Sequence, residues 1–331
     1  MTEAAIRIDG VRKTFGPKVA VDGLSLVVPR GSLCGFIGPN GAGKTTTIRM
    51  IMSIIFPDTG SIQVLGKGSA LESKDRIGYL PEERGLYKKM KVGAFLAYVA
   101  QLKGINASEA SRRAASWLQR VELGGVINKR CEELSKGMQQ KVQFIAAVLH
   151  EPELIILDEV FSGLDPMNRR LMRDLIDEQH RAGRTVIFST HAMFEAEQLC
   201  DQIFMIHQGR KMLDGPLTDV LEQFDTRSLV VETQSDEGVQ QLRNVEGVAE
   251  VITGTDRGAD KRAVQVLLSE GENAQRVLAR IASTVSVKRI EVRRVSLEEV
   301  FLEVVRRSGG GEVDERLLAG FAVSSGEGGE S

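Results

Sequence analysis

Gly38-Pro39-Asn40-Gly41-Ala42-Gly43-Lys44-Thr45 follows a short apolar run, Leu33-Cys34-Gly35-Phe36-Ile37, and leads into a helical pattern from Thr46 to Met52. Glycines at these places let backbone N–H groups turn inward and approach phosphate oxygens without a side chain between them. A helix starting there adds its positive end. The spacing G-x-x-x-x-G-K-[ST] brings Lys44 within reach of β- and γ-phosphates and sets the Thr45 hydroxyl where Mg²⁺ is ligated. The bare pattern also arises by chance on glycine-rich turns; the strand before it and the helix after it favour a nucleotide loop. Downstream, Leu154-Ile155-Ile156-Leu157 runs into Asp158-Glu159. Asp158 can hold the metal, usually through water, and Glu159 can orient and polarise an attacking water. Two carboxylates at a strand end are, alone, as readily a solvated terminus. Beside a phosphate loop they suit triphosphate hydrolysis.

The elements that must position these groups alternate between strand-like and helix-like segments. Leu33–Ile37, Leu154–Leu157 and Thr185–Phe188 are apolar on both faces, as central strands of a largely parallel, helix-covered sheet would be. Between the first two lies a helical stretch over about 86–150. Val92, Phe95, Leu96 and Val99 repeat at helical spacing, as do Ala110, Ala114, Trp117, Leu118 and Val121. Composition shifts near Asp225. Residues 225–307 read as a small α+β domain: short β-rich runs at Leu229–Thr233, Ala263–Leu268 and Val287–Val295 around one helix near 273–283. A last helix opens on the capping box Ser296-Leu297-Glu298-Glu299. Residues 308–331, rich in Gly, Ser and Glu, read as a disordered tail in which Leu317–Val323 could dock. Residues 1–224 then form the nucleotide-binding domain of an α/β fold.

The chain has 331 residues, 42% hydrophobic and 27% charged, with a net charge of −2. The absence of a basic excess weighs against non-specific nucleic-acid binding. Cys34, Cys131 and Cys200 are odd in number and lack metal-ligand spacing, which reads as reduced thiols in a cytoplasmic protein. The N-terminal residues lack the pattern of a signal peptide, and no apolar stretch approaches the ~20 residues of a membrane span. Any membrane role is expected to come through a partner.

Leu134-Ser135-Lys136-Gly137-Met138-Gln139-Gln140-Lys141 narrows the choice. It resembles the LSGGQ signature of ABC ATPases and lies N-terminal to Asp158, as in that family. Taken alone, the octapeptide is a helix cap, with Ser135 a good N-cap for the helix carrying Val142, Ile145 and Leu149. The resemblance covers about residues 4–220 and implies a P-loop cassette: a mixed sheet core with a helical subdomain. It implies ATP and Mg²⁺, with two nucleotides sandwiched head to tail between two cassettes, most simply a homodimer. By the same resemblance Phe15 stacks on adenine, and Gly38 to Thr46 hold the phosphates. Thr45, Asp158 and Glu82 lie at the metal, while Glu159 and His191 act at the γ-phosphate with Lys44. Ser135 and Gly137 close over ATP held by the opposite subunit, and Asp165, in Ser162-Gly163-Leu164-Asp165, communicates between the sites. His150, His180 and His207 lack such context and read as structural.

Two positions depart from the family pattern. Glu82, in Ile77-Gly78-Tyr79-Leu80-Pro81-Glu82-Glu83, stands where a glutamine is expected and adds negative charge beside a triphosphate. Lys136 and Met138 replace a glycine and a glutamine, as in one branch of bacterial exporter ATPases. The segment Ser296–Leu302 resembles the tail of ATPases serving ABC-2-type exporters. Gly78 to Tyr87 is similar to the sodium-extrusion branch. The resemblance thus implies a cytoplasmic subunit, peripheral on the membrane's inner face through a polytopic permease whose cargo, sodium or drugs among others, the permease selects. No nucleic-acid partner is expected. A soluble ABC ATPase acting on ribosomes or nucleic acid is the alternative, against which stand one cassette, no heptad run and no basic stripe. A catalytically weak regulatory cassette is a second alternative, against which stand Glu159 and His191.

Overall fold

The computed structural model describes residues 3–83, 85–225, 227–253 and 263–307. Two long strands come first, β1 (Ala4–Phe15) and β2 (Lys18–Pro29). From Leu24 to Val28 of β2 the alternation is strict: Leu24, Leu26 and Val28 are buried while Ser25 and Val27 face outward, the period of a sheet with one covered face. β3 (Leu33–Ile37) is buried at every residue, and α1 (Lys44–Ile51), β4 (Thr59–Val64) and β5 (Ile77–Leu80) follow. The helical stretch is α2 (Val92–Leu102), α3 (Ala107–Arg120) and α4 (Lys136–Val148). Its apolar stripes bury Val92, Phe95, Leu96 and Ala100 on α2 and Ala110, Ala114 and Leu118 on α3. The chain then returns to alternation with β6 (Leu154–Asp158), α5 (Pro166–Arg181), β7 (Thr185–Thr190), α6 (Met193–Leu199), β8 (Gln202–His207), β9 (Arg210–Pro216) and α7 (Leu217–Gln223).

Six strands form one sheet in the order β5-β6-β7-β3-β8-β9, parallel except for the antiparallel pair β8–β9. A second, antiparallel sheet has the order β2-β1-β4. One apolar cluster includes residues of both sheets and α1, among them Ile6, Leu24, Phe36, Ile48, Val64 and Ile156. The architecture is the mixed-sheet α/β core with a helical subdomain that the sequence indicates.

The described residues fall into two compact units, one drawn from Met1–Leu217 and Phe301–Ser331, the other from Thr218–Val300. The division at Thr218 precedes the composition shift near Asp225, so α7 belongs with the second unit. That unit contains β10 (Ser228–Thr233), α8 (Asp236–Leu242), β11 (Val248–Thr253), β12 (Ala263–Leu268), α9 (Ala274–Thr284) and β13 (Val287–Val292). Its antiparallel sheet runs β11-β12-β10-β13, the order of a split β-α-β, ferredoxin-like domain. Leu229, Val231, Val264, Val266, Val277 and Ile281 fill its core. Two helices serve this sheet, where the sequence indicated one. The extra helix, α8, is only seven residues long and contains Gly238, but Ser235 caps it by accepting from the Gly238 N–H. β13 ends at Val292, short of the expected Val295. α10 (Leu297–Arg307) begins at the expected box: Ser296 N–H donates to Glu299 Oε2 and Glu299 N–H to Ser296 Oγ. The tail at 308–331, with Leu317–Val323, lies outside the described residues.

Cys34, Cys131 and Cys200 are all buried and unpaired. Among the described residues no helix is long and apolar enough to cross a membrane.

Candidate nucleotide-hydrolysis site

The site is built where the parallel strands end. The chain leaves β3, turns through 38–43 and enters α1 under close constraint. A Cβ on Gly38 would lie 2.2 Å from the Ile206 carbonyl oxygen, and one on Gly43, at φ 110°, 2.7 Å from that of Ala20. Only glycine fits either place without displacing backbone. Gly43 occupies the N-cap of α1 and brings no side-chain cap. Among the described residues no backbone acceptor takes the N–H of Gly41, Gly43, Lys44, Thr45 or Thr46. A ring of unsatisfied donors at a helix start is an anion cradle.

Lys44 is nearly buried at 5% exposure. Its Nζ donates to Gly38 O at 2.8 Å and Pro39 O at 3.2 Å, and lies 3.3 Å from Glu159 Oε1. The other Glu159 oxygen, Oε2, is 2.9 Å from His191 Nδ1. Burial alone would push the Glu159 carboxyl up; the His191 hydrogen bond and the Lys44 charge outweigh it and hold the group below its ordinary value. Its backbone is left-handed, φ 50°, a conformation that costs a non-glycine residue about 1 kcal/mol or more.

Asp158, at the end of β6, is fully buried. Parallel pairing sets it opposite Ser189 on β7. Ser189 Oγ donates to Asp158 Oδ1 at 2.5 Å and accepts from the Glu159 N–H at 3.0 Å. One hydroxyl thereby orients both carboxylate residues. Thr45 Oγ1 lies 3.3 Å from Asp158 Oδ1 and 3.3 Å from Glu82 Oε2. Burial raises the Asp158 carboxyl, and the charges of Glu82 and Glu159 add to that against the Ser189 and Thr45 hydrogen bonds. Asp158 Oδ2 is buried without a hydrogen-bond partner, a costly state unless a ligand completes it. A hydroxyl, that orphaned oxygen and a second carboxylate form an all-oxygen set suited to Mg²⁺.

These groups converge on a cleft of about 340 Å³ lined by Phe15, Asn40, Gly41, Gly43, Lys44, Thr45, Thr46, Glu82 and Glu159, with Lys18 and Ala20. Phe15 is 50% exposed, with Lys13 Nζ 5.6 Å from its ring centroid. Gly38, Pro39 and Ala42 build the turn beneath. Ser135, Gly137 and Asp165 do not line the cleft. Gly137 and Asp165 instead approach each other through Asn168, and Ser135 opens the same helix as Gly137. Ser135 caps α4, accepting from the Met138 N–H at 3.3 Å, and Asp165 caps α5, accepting from the Asn168 N–H at 2.9 Å. A Cβ on Gly137 would touch Asn168 Nδ2 at 3.4 Å. From α4, Gln140 Nε2 donates to Val160 O at 3.1 Å, joining the signature helix to the residue after Glu159. Neither that link, nor the Ser189 bridge, nor Lys18 in the cleft is indicated by any motif. The one available signal for Ser189 was its place two residues before His191.

Comparison with known proteins agrees with this chemistry. Residues 21–162 match the family model described as ABC transporter, and residues 215–305 match the C-terminal domain of the ATP-binding protein DrrA1-3-like family. The chain is 39% identical over 300 residues to the uncharacterized ABC transporter ATP-binding protein YhaQ of Bacillus subtilis (strain 168), covering 91% of this chain and 98% of that protein. It is 32% identical over 310 residues to the Nod factor export ATP-binding protein I of Paraburkholderia xenovorans (strain LB400), with 93% and 99% covered. A solved structure described as the ATP binding subunit of an ABC transporter superposes with a TM-score of 0.62 at 31% identity, covering 66% of this chain and 93% of that one. Likeness along nearly the whole length places the chain in the family of ABC transporter ATP-binding proteins, which bind and hydrolyse ATP with Mg²⁺.

Proposed function

We propose that this chain is the ATP-hydrolysing subunit of an ABC exporter, working as a head-to-tail homodimer beneath a separate polytopic permease. The observation that carries the hydrolytic part is the convergence of Lys44 and His191 on the two oxygens of Glu159. In this reading the α1 donors and Lys44 take the β- and γ-phosphates, and Phe15 takes the adenine. Thr45, Asp158 and Glu82 would hold Mg²⁺, which when bound neutralises charge on the phosphate oxygens. Phosphate arriving at Lys44 replaces Gly38 O, Pro39 O and Glu159 as its partners. Glu159 Oε1 is then free to accept a proton from water aimed at the γ-phosphorus. Water adds there, the bond to the β–γ bridging oxygen breaks, and ADP leaves with that electron pair. His191 stays on Oε2 and senses the γ-phosphate. Ser135 and Gly137 close over the partner's nucleotide, and Asp165, which caps α5 through Asn168, communicates between the sites.

The exporter part is supported by the match of residues 215–305 and by the relative named for Nod factor export. Exposed apolar side chains on α2 and just before it offer the permease a surface: Tyr87, 55% exposed, meets the rings of Phe95 and Tyr98 at 6.0 Å, and Leu102 is 60% exposed. The test is affinity purification of the tagged chain from detergent-solubilised membranes of its host, with ATPase activity assayed on the product. A stoichiometric polytopic membrane protein with ATPase activity is the expected result. Ribosomal or nucleic-acid partners in its place would overturn the transport assignment.

A further inference from the structure

Glu82 stands on the exposed segment after β5 and lines the cleft beside Thr45, Thr46 and Glu159. With it, three carboxylates (Glu82, Asp158 and Glu159) surround the Thr45 hydroxyl and Lys44. Among the described residues the cations lining the cleft are Lys18 and Lys44, and the Lys44 ammonium already faces Glu159. Asp158 is wholly buried and its Oδ2 has no hydrogen-bond partner. A glutamine at position 82 would offer a neutral amide oxygen; the glutamate adds a full charge at a place where a polyanion is to bind. Between charges a few ångströms apart in a half-open cleft, that difference is worth about tenfold to a hundredfold in affinity.

We propose that Glu82 makes a divalent cation a precondition of nucleotide binding in this chain. Without metal, Glu82 and Asp158 repel the triphosphate that the α1 donors attract. With metal, the same two carboxylates become ligands, and the repulsion changes into attraction. The inference rests on the reading of the cleft as the ATP site.

The test compares ATP affinity with Mg²⁺ and with EDTA, by calorimetry at low ionic strength, where charge is least screened. The wild-type chain should bind metal-free ATP at least about tenfold more weakly than Mg-ATP, and Glu82→Gln should shrink that ratio by about tenfold. Glu82→Asp, which keeps the charge, should keep the larger ratio. Equal wild-type affinity with and without metal overturns the inference whatever the variants do, as does an unchanged ratio in Glu82→Gln. Failure of the folded wild-type chain to bind Mg-ATP at all would instead refute the nucleotide site, and this inference with it.

Discussion

Glu159 carries its carboxylate on a left-handed backbone with both oxygens already engaged, one by Lys44 and one by His191. An amide at that position keeps the size of the side chain but cannot take a proton from water. Glu159→Gln is therefore expected to lower kcat by about a hundredfold or more while ATP still binds, measured by steady-state turnover beside nucleotide calorimetry; wild-type turnover would remove Glu159 from the mechanism. At this scale the sequence was most legible, because phosphate and metal chemistry restrict which residue types serve. Lys44, Thr45, Glu82 and Glu159 were identified from motif and resemblance, and the structure gathers them in one cleft. Ser189, two residues before His191, was not identified as a bridge. Its role depends on Asp158 falling opposite it across two strands, a register that neither strand's own sequence states.

Among the elements, α4 links chemistry to stability. Its cap, Ser135, satisfies the Met138 N–H in the chain itself, so Ser135→Ala should cost about 1 kcal/mol of unfolding free energy with no nucleotide present, by urea titration. Just beyond the other end of α4, His150 Nε2 meets Ile77 O at 3.1 Å, and Lys103 Nζ donates to the same oxygen at 3.0 Å. Burial, helped by the Lys103 and Arg184 charges and opposed by the Ile77 contact and Asp75, brings the His150 imidazole from 6.5 down to about 4. The unfolded chain thus takes up a proton that the folded chain refuses. Stability should fall as pH drops from 6.5 towards about 4 and level off below, by about 1.4 kcal/mol per unit at most and about 3 kcal/mol in all. Urea midpoints at pH about 7 and about 5 should converge in His150→Gln if this proton is responsible. Periodicity disclosed α2 and α3 because their apolar stripes are continuous. It did not disclose the β2-β1-β4 sheet, since the pairing of β1 with β2 shifts between Ile8 and Val11 and breaks the alternation. α8 escaped for the opposite reason: seven residues are too few for a helical period to show.

At the scale of the whole molecule, Ser135, Gly137 and Asp165 do not line the cleft of their own chain, and the head-to-tail reading proposed above has a second copy bring them to it. If so, Glu159→Gln with ATP and Mg²⁺ should run at twice the monomer mass in size-exclusion chromatography with light scattering, and the nucleotide-free protein should not. A monomer under both conditions would count against the sandwich. Following that association needs a reporter, and the buried thiols bear on its design. Burial pushes Cys34 up to about 12, against its Ser32 hydrogen bond, and raises Cys131 and Cys200 as well. A chromogenic disulfide should accordingly find no fast-reacting thiol in the native chain and all three in urea. A cysteine placed at Met167, 83% exposed in the first turn of α5, would then be the single labelling site, and a probe there could watch two cassettes meet with every native cysteine left in place.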